Sequence, residues 1–205
     1  MPGATRGRAN TDAESGDARA RLVAAAVEFF ARKGFHATTT RDIATAAHMS
    51  PAALYVHHPS KEDLLYIISR DGHQQTLRLV RGAVAVSPDP AVQLATIADR
   101  FAEHHATHHE TARIVNYELT ALSPDHLDEI TAIRRAIEAE VRAVVERGVA
   151  AGVFDTPDIA MTTMALLSLG VDVSRWYRDD GTWTPERIGT YYRSLALRIV
   201  GSRAS

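Results

Sequence analysis

The sequence contains no cysteine, only two lysines among its 23 basic residues, and few aromatic residues, which make up 6%. Without cysteine the chain has no disulfide, no thiolate metal ligand and no cysteine nucleophile. It also lacks a long uninterrupted apolar run, and its polar first residues do not resemble a secretory signal. We therefore expect a cytoplasmic protein that has no contact with a membrane.

The usual signatures of enzymes are also missing. The chain has no alternating strand pattern, no Gly-rich phosphate loop after a strand, no repeat of fixed period and no Gly-x-Ser-x-Gly elbow. We therefore predict no catalytic residue, no cofactor and no enzyme activity. With 205 residues, 45% of them apolar, the chain can bury one substantial core and a small satellite domain.

Two short helices separated by a turn are predicted in the first third of the chain. Thr39 is a typical cap residue, and Asp42 follows three positions later, as in a capping box. Ser50 and Pro51 mark a second start, because the missing N–H of proline costs least at the first helical position. This second helix ends before Pro59, since the residue preceding a proline is pushed out of the helical region. The spacing is typical of a helix-turn-helix, whose second helix enters the major groove of DNA.

The residue types in and beside these helices suit contact with DNA. Small residues let a backbone approach base edges, and hydroxyls and cations reach phosphates. The pair Ser60-Lys61 starts another helix, whose free N–H groups and ammonium would hold one phosphate together. Short capped helix pairs also occur in ordinary helical proteins, so the spacing leaves both interpretations open. The predicted contacts with double-stranded DNA are Thr39, Thr40, Arg41, Ser50, Pro51, Ala52, Ala53, Tyr55, His57 and Lys61.

Three segments between Arg21 and Leu65 carry a resemblance to a known family: Lys33-Gly34-Phe35, Thr39-Thr40-Arg41-Asp42-Ile43-Ala44 and Ser60-Lys61-Glu62-Asp63-Leu64-Leu65. They resemble the DNA-binding domain of the TetR (tetracycline-repressor) family. The resemblance implies an all-α, two-domain homodimer that binds near-palindromic operator DNA as a repressor until a small ligand releases it. Two positions differ, because His48 replaces the usual glycine of the turn and His58 replaces the usual aromatic residue.

We predict three parts in the chain: a disordered arm over 1–16, a helix-turn-helix domain over 17–63 and a helical ligand-binding and dimerisation domain over 64–205. The net charge of −2 is unevenly distributed, since eight basic and five acidic residues through Lys61 give +3 and leave −5 for the remainder. An acidic body with a basic tip suits a protein of which only the tip approaches phosphate. Arg6 and Arg8 either contact a minor groove or belong to a solvated tail.

The remainder of the chain is predicted to be a helical bundle. A capping residue followed by proline marks helix starts at Asp89, Ser123, Thr156 and Thr184. The segment from Ile159 to Trp176 is apolar on nearly all sides, so both the last helix and a second subunit are expected to cover it. A deeply buried monomer core is the alternative. The predicted dimer interface contains Leu167, Val171, Trp176, Tyr192, Leu195 and Ile199.

Two groups of residues in the body suggest a ligand site. The histidines of 104–109 continue the inward stripe of the helix that precedes them. The segment 174–181 resembles the Arg-Trp-Tyr segment of TetR members that respond to acyl-coenzyme A thioesters, although it could equally seal the dimer interface. We predict a mostly apolar effector, with acyl-CoA thioesters as the first class to test. The predicted ligand contacts are His104, His105, His108, Tyr117, Glu118, Arg175 and Trp176.

The histidines also allow a second hypothesis of another class. Paired histidines on one helix face, with Glu103 and Glu110 beside them, are suitable ligands for zinc or nickel. The protein would then be a helical metal-binding protein or an enzyme that uses the His104–His109 cluster. We predict no metal site, because no other segment is rich in metal ligands.

Overall fold

The computed structural model of the chain describes residues 5–202, with side chains described from residue 16 onward. The described residues form α-helices, one short 3-10 helix at Leu119–Ala121 and no strand, which confirms the predicted all-α class. None of these helices combines the length and the apolarity that a membrane-spanning segment needs. The α-helices are α1 Thr5–Lys33, α2 Thr40–Ala46, α3 Pro51–His57, α4 Lys61–Val84, α5 Pro90–Thr107, α6 His109–Tyr117, α7 Pro124–Ala150, α8 Ile159–Trp176 and α9 Pro185–Ile199.

The first helix is longer than predicted. We expected a disordered arm over 1–16 and a helix from Asp17, whereas α1 already begins at Thr5. No proline interrupts residues 5–16, and a helix that is anchored by packing further along extends at little cost per residue. Residues 1–4 lie outside the described part, as do the side chains of Arg6 and Arg8, so the choice between a minor-groove contact and a solvated tail stays open.

Local hydrogen bonds fix the helix-turn-helix as the sequence predicts. Oγ1 of Thr39 accepts from the backbone N–H of Asp42 at 3.1 Å, and Oδ2 of Asp42 accepts from the N–H of Thr39 at 3.1 Å, which completes the capping box. Oγ of Ser50 caps α3 through the N–H of Ala53. His48 has a φ of 56°, so the histidine at the usual glycine position adopts the left-handed backbone of the turn.

The starts of the body helices were predicted correctly at three of four places. Asp89, Ser123 and Thr184 are N-caps, each followed by proline. The fourth prediction, at Thr156, is wrong by two residues, because Asp158 is the cap of α8 and its Oδ1 accepts from the N–H of Met161 at 2.9 Å. Asp158 is the better cap, because its carboxylate accepts from a backbone N–H three residues later and Thr156 precedes the helix by two further positions.

Two apolar cores meet along α4. The core of the helix-turn-helix contains Phe30, Phe35 and Leu54, and it continues without a break into Ile114 of α6 and Ile130 of α7. The second core lies between the C-terminal half of α4 and helices α5, α7, α8 and α9. Helix α4 therefore contributes to both cores and connects the DNA-binding part rigidly with the body.

Helices α5 and α9 approach each other closely at Gly189. A Cβ atom at this position would lie 2.8 Å from the backbone oxygen of Asp99 and 2.6 Å from its Oδ1. We expect Gly189→Ala to push the two helices apart and to lower the free energy of unfolding by about 1–3 kcal/mol, as overpacked cores do. Urea denaturation followed by circular dichroism measures this change.

Gly82→Ala is the matched control, because no atom of the described residues lies within 4 Å of a Cβ at Gly82, in the last turn of α4. This change should raise the free energy of unfolding by about 0.5–1 kcal/mol, since alanine loses less backbone entropy than glycine on folding. If the two substitutions changed the free energy of unfolding equally, the close approach of α5 and α9 would not exclude a larger side chain at residue 189.

Candidate nucleic-acid interface and ligand site

The surface of α2, the turn and α3 presents most of the predicted DNA contacts. The hydroxyl of Tyr55 lies 3.2 Å from Oγ1 of Thr40 and joins the two helices, while 53% of the tyrosine remains exposed. Of the ten predicted residues, the exposed ones are Thr39, Arg41, Ser50, Pro51, Ala52 and Tyr55. The half-buried ones are Thr40, Ala53, His57 and Lys61.

Val56 is a residue of this surface that the sequence analysis missed. It is 80% exposed on α3, next to Tyr55. Helix α3 has seven residues and buries only Leu54, so its other apolar side chains must face outward. The shortness of α3 could have indicated this, because a helix of two turns cannot bury all of its apolar side chains.

Lys61 has a different place from the predicted one. Its ammonium donates to the backbone oxygens of Phe35 at 2.6 Å and Thr38 at 2.7 Å, and it lies 4.3 Å from the centre of the Phe35 ring. Partial burial lowers the pKa of Lys61. The prediction that this cation reaches for a phosphate does not fit, because most of its donor capacity holds the loop between α1 and α2 against the start of α4.

His58 occupies the corner that usually holds an aromatic residue. It is 3% exposed, and its Nδ1 lies 2.8 Å from Oδ2 of Asp63, in the first turn of α4. Its Nε2 is enclosed without a hydrogen-bond partner among the residues that the structure describes. The corner is therefore filled by an imidazole of similar shape that carries one unsatisfied polar atom, which is a destabilising feature in a small core.

A cavity of about 310 Å³ lies in the body between helices α4, α5, α6, α7 and α8. Its apolar wall consists of Phe101, Val115, Ile137, Met164, Leu167 and Val171. Its polar lining consists of His73, Thr76, His105, Asn116, Thr131, Arg134, Arg135, Glu138 and Ser168. An apolar wall with a few convergent polar groups is the usual constitution of a small-molecule site, and the volume is at the low end for such sites.

The two histidines of the cavity are neutral. His73 and His105 each place Nδ1 2.8 Å from the backbone oxygen four residues earlier, at Ser69 and Phe101. Burial, which disfavours the charged imidazolium, lowers the pKa of His73 to about 4 and that of His105 to about 3. At neutral pH these side chains contribute hydrogen-bonding atoms to the cavity but no charge.

The charge of the cavity comes from arginine. Nη1 of Arg134 lies 3.3 Å from Nε2 of His73 and 3.3 Å from Oδ1 of Asn116, both neutral acceptors. Among the residues that the structure describes, no carboxylate lies within 4.0 Å of Arg134 or Arg135. Glu138, which also lines the cavity, is paired with Arg142. The rim of the cavity therefore carries a positive charge that no acidic side chain of this part of the chain neutralises.

Comparisons with known proteins agree with this arrangement of a helix-turn-helix and a ligand cavity. Residues 22–66 match the family model of bacterial regulatory proteins of the tetR family, and residues 87–200 match a tetracyclin repressor-like C-terminal domain. A solved structure of a tetR-family regulatory protein from Rhodococcus RHA1 is 41% identical, covers 91% of this chain and 98% of its own, and has a TM-score of 0.87. The chain belongs to the TetR family. Its homologues are transcriptional regulators, among them the repressor described next.

The chain is 28% identical to the HTH-type transcriptional repressor KstR2 of Rhodococcus jostii, over 92% of this chain and 93% of the repressor. The structure of AibR in complex with isovaleryl coenzyme A and operator DNA covers 90% of this chain and 99% of its own, with 19% identity and a TM-score of 0.81. At this identity AibR shows only that the two proteins share a TetR-family fold.

Of the seven predicted ligand contacts, only His105 lines the cavity. His104 and His108 pack against each other, with ring centres 4.5 Å apart, and α5 ends at Thr107, which turns His108 away from the inward stripe. Tyr117 is exposed at the end of the short helix α6, and Glu118 follows that helix and lies close to Gly34 of the DNA-binding part. The prediction that these four side chains orient the ligand in this cavity is therefore corrected.

The segment near the end of α8 also lies apart from the cavity. Arg175 is exposed and paired with Asp172 at 3.2 Å. Trp176 faces a second groove, outside the bundle, which it lines together with Trp183, Arg187, Ile188, Tyr191 and Tyr192. Arg175 and Trp176 were thus predicted as ligand contacts from a helix end that does not reach the cavity in this structure.

The cavity residues that the sequence analysis missed lie mainly on α4, α6 and α7: His73, Thr76, Asn116, Arg134 and Arg135. A signal existed for two of them, because His73 and Thr76 continue the buried stripe that Ser69 and Val80 mark on α4 at three- and four-residue spacing. Polar residues on an otherwise apolar stripe indicate a polar interior site.

The arrangement of the histidines bears on the alternative hypothesis of a metal site. In the described part of the chain, His, Asp and Glu side chains do not gather in groups of three that could hold a metal ion. The His104–His109 segment ends α5 and starts α6, so its four histidines do not share one helix face.

Helices α8 and α9 leave an apolar face uncovered in the single chain. On α8 the buried residues are only Thr163, Gly170, Val173 and Ser174, so the alternative of a deeply buried monomer core does not fit. Of the predicted interface, Trp176 is exposed, and the half-buried residues are Leu167, Val171, Tyr192, Leu195 and Ile199. Beside them lie the exposed side chains of Met161, Met164, Leu169 and Tyr191. Contiguous exposed apolar surface of this kind is typical of protein interfaces.

The role of Lys61 in the DNA-binding part is open to a direct measurement. Lys61→Met keeps the length of the side chain and removes the ammonium that holds the oxygens of Phe35 and Thr38. We expect the free energy of unfolding to fall by about 1.5–3 kcal/mol, the usual contribution of hydrogen bonds to a charged group. Chemical denaturation of the purified protein measures it.

The other lysine of the chain is the control. Lys33 is exposed, with its ammonium 3.8 Å from Asp42, and exposed ion pairs contribute little to stability. Lys33→Met should therefore change the free energy of unfolding by less than about 0.5 kcal/mol. If Lys61→Met were as mild as Lys33→Met, the hydrogen bonds of Lys61 would not hold the loop.

Proposed function

We propose that the protein is a cytoplasmic, homodimeric repressor that binds a near-palindromic operator and is released from it by a small effector bound in the body cavity. The observation that carries the proposal is that α4 lines this cavity with His73 and Thr76 and begins directly after the recognition helix α3. In this scheme residues 17–63 form the DNA-binding part and residues 64–205 form the ligand-binding and dimerisation part.

The DNA contacts in this proposal come from the exposed surface of α2 and α3. Pro51, Ala52 and Ala53 at the start of α3 let the backbone approach base edges, and Tyr55 and Val56 supply a ring and a methyl surface for thymine. Arg41 and the hydroxyls of Thr39, Thr40 and Ser50 supply groups for phosphates. His57 completes the set at the end of α3, whereas Lys61 acts by holding the loop before α2 in place.

A dimer is needed because one recognition helix reads only a few base pairs. The uncovered apolar face of α8 and α9 supports pairing of two subunits around a two-fold axis, as in closed symmetric dimers. Two recognition helices would then enter successive major grooves about 34–36 Å apart, which explains the near-palindromic operator in this scheme.

The effector acts by shifting the equilibrium between two arrangements of the subunits, one that fits the operator and one that does not. It binds the arrangement with misplaced recognition helices better than the DNA-bound one, and each ~1.4 kcal/mol of preference changes operator affinity about tenfold. Glu62 links α4 to the body, since its Oε1 accepts from the N–H of Ser123 at 2.9 Å and lies 2.8 Å from Nδ1 of His126. When a ligand in the cavity displaces α7, these bonds between the start of α7 and Glu62 therefore displace the start of α4 as well.

The chemistry of the cavity supports an effector that has an apolar part and an anionic part. The apolar wall suits an acyl group, and Arg134 and Arg135 at the rim suit phosphates or a carboxylate. A cavity of about 310 Å³ holds an acyl group but not a whole coenzyme, whose nucleotide would stay outside. Acyl-coenzyme A thioesters meet both requirements, and isovaleryl coenzyme A is the ligand named for AibR.

The DNA part of the proposal is tested with the DNA upstream of the protein's own gene. Tyr55→Ala should weaken binding by about 1–3 kcal/mol, because it removes a central side chain of the recognition helix, while Tyr55→Phe tests the hydroxyl separately. Fluorescence anisotropy with labelled DNA measures both. Val86→Ala, an exposed change after the end of α4, is the control and should bind as the parent does. Parental affinity in Tyr55→Ala would contradict the proposed docking.

The subunit interface is tested by a charge on the uncovered face. Leu169 is 40% exposed on α8 and does not line the cavity, so Leu169→Glu should leave the fold of the monomer intact. We expect a monomer in analytical ultracentrifugation and loss of specific DNA binding, because a carboxylate at the interface would be buried without a partner. Val86→Glu, at 53% exposure outside α8 and α9, should stay dimeric. A dimeric Leu169→Glu variant that binds the operator would place the interface elsewhere.

A further inference from the structure

His105 presents a hydrogen-bond acceptor to the cavity. The residue is 3% exposed, and its ring packs on Phe101 with ring centres 4.3 Å apart. Its Nδ1 lies 2.8 Å from the backbone oxygen of Phe101. A carbonyl oxygen only accepts hydrogen bonds, so the proton of the neutral imidazole is on Nδ1. The other nitrogen, Nε2, is therefore a pure acceptor.

The imidazole stays neutral over the physiological pH range. Burial lowers the pKa of His105 to about 3, and the neighbouring His104, His73 and His108 act in the same direction. Arg134, which faces His73, likewise disfavours a second positive charge in the cavity. The acceptor character of Nε2 therefore does not depend on the pH at which a ligand binds.

Nε2 of His105 has no hydrogen-bond partner among the residues that the structure describes, and it is not one of the fully enclosed atoms that lack a partner. Since His105 lines the cavity, this nitrogen is open to the cavity volume. An acceptor in such a place loses the hydrogen bonds that water gives it unless a donor of a ligand replaces them.

The polar groups that α4 and α6 contribute to the cavity already have partners. Nε2 of His73 faces Arg134, and the hydroxyl of Thr76 donates to the backbone oxygen of Gly72 at 3.0 Å. The amide of Asn116 donates to the backbone oxygen of Ala112 at 2.8 Å and faces Arg134 with its oxygen. A donor group of the ligand on this side of the cavity thus finds an acceptor without a partner at His105, whereas the hydroxyls of Thr131 and Ser168 lie on α7 and α8.

We propose that the effector carries a hydroxyl on its acyl group and donates a hydrogen bond from it to Nε2 of His105. This rests on the proposed function, in which the cavity binds an acyl-coenzyme A thioester. A plain saturated acyl group has no donor and would leave the nitrogen unpaired. A site built to bond a ligand hydroxyl rejects the analogue that lacks it far more strongly than an apolar pocket rejects a change of size.

The experiment compares matched thioesters on the purified dimer. Calorimetry and operator release are measured with hexanoyl-CoA, 3-hydroxyhexanoyl-CoA, 6-hydroxyhexanoyl-CoA and free coenzyme A. We expect at least one hydroxyacyl thioester to bind about tenfold tighter than hexanoyl-CoA or more. If all three thioesters bind equally, the inference is overturned while the proposed function stands. If none binds, the thioester assignment itself fails, and the inference fails with it.

Two variants of His105 separate hydrogen bonding from packing. His105→Phe keeps a flat ring and removes the acceptor, so it should abolish the preference for the hydroxyacyl thioester and leave the affinity for hexanoyl-CoA within about threefold. His105→Gln keeps an acceptor oxygen and should preserve part of the preference. If His105→Phe weakens both thioesters alike, His105 acts through packing and the inference is overturned.

A measurement on the unchanged protein avoids any effect of substitution on folding. In ¹⁵N spectra of the histidine-labelled dimer, His105 should be protonated at Nδ1 and unprotonated at Nε2. The Nε2 resonance should shift with the hydroxyacyl thioester and stay nearly constant with hexanoyl-CoA. A proton on Nε2 in the free protein would overturn the inference, because that nitrogen would then be a donor.

Discussion

Helix α4 is the part on which the rest of the structure depends. Its 24 residues span about 36 Å at the rise of an α-helix, enough to reach from the helix-turn-helix through the whole body. Its first residue, Lys61, holds the loop before α2, and Leu64 and Leu65 are buried in the core of the helix-turn-helix. Further along, His73 lines the cavity and Val80 is buried in the core of the body. One rigid element therefore belongs to the core of the helix-turn-helix, to the wall of the cavity and to the core of the body, so a displacement at one of them is transmitted to the others.

The contact between the two parts of the chain is a packed core and not a flexible hinge. Ile114 of α6 and Ile130 of α7 belong to the same apolar cluster as Phe30 of α1. Polar contacts reinforce the connection, because Tyr66 of α4 stacks on His126 of α7 with ring centres 3.7 Å apart and Glu62 bonds the same helix start. Close-packed interiors resist gradual deformation and move between discrete arrangements. Release from DNA by a ligand is thus expected as a joint displacement of α4, α6 and α7 with the helix-turn-helix.

The sequence was sufficient where structure is decided by neighbours along the chain. The capping box at Thr39, the start of α3 after Ser50 and the left-handed turn at His48 all depend on side chains a few residues apart. The cavity depends on which faces of five helices meet, and a stripe that was extended past the end of α5 at Thr107 pointed to His108, which does not line the cavity. The place of Lys61 could not be predicted either. Its partners are backbone oxygens 23 and 26 residues earlier, and because every residue has a backbone oxygen, the sequence does not indicate which ones a lysine will bind.

Arg134 connects the chemistry of the cavity with the arrangement of the helices. It belongs to α7, and it bonds His73 of α4 and Asn116 of α6, so one guanidinium holds three helices together. Both partners are neutral, and partial burial lowers the pKa of Arg134. An anionic group at the rim would compensate the charge and form the stronger, charge-assisted hydrogen bond. It would therefore draw Arg134 away from His73 and Asn116, and the loss of these two bonds would loosen α4 from α6 and α7. Binding at the rim and displacement of α4 are then two consequences of one exchange of hydrogen bonds.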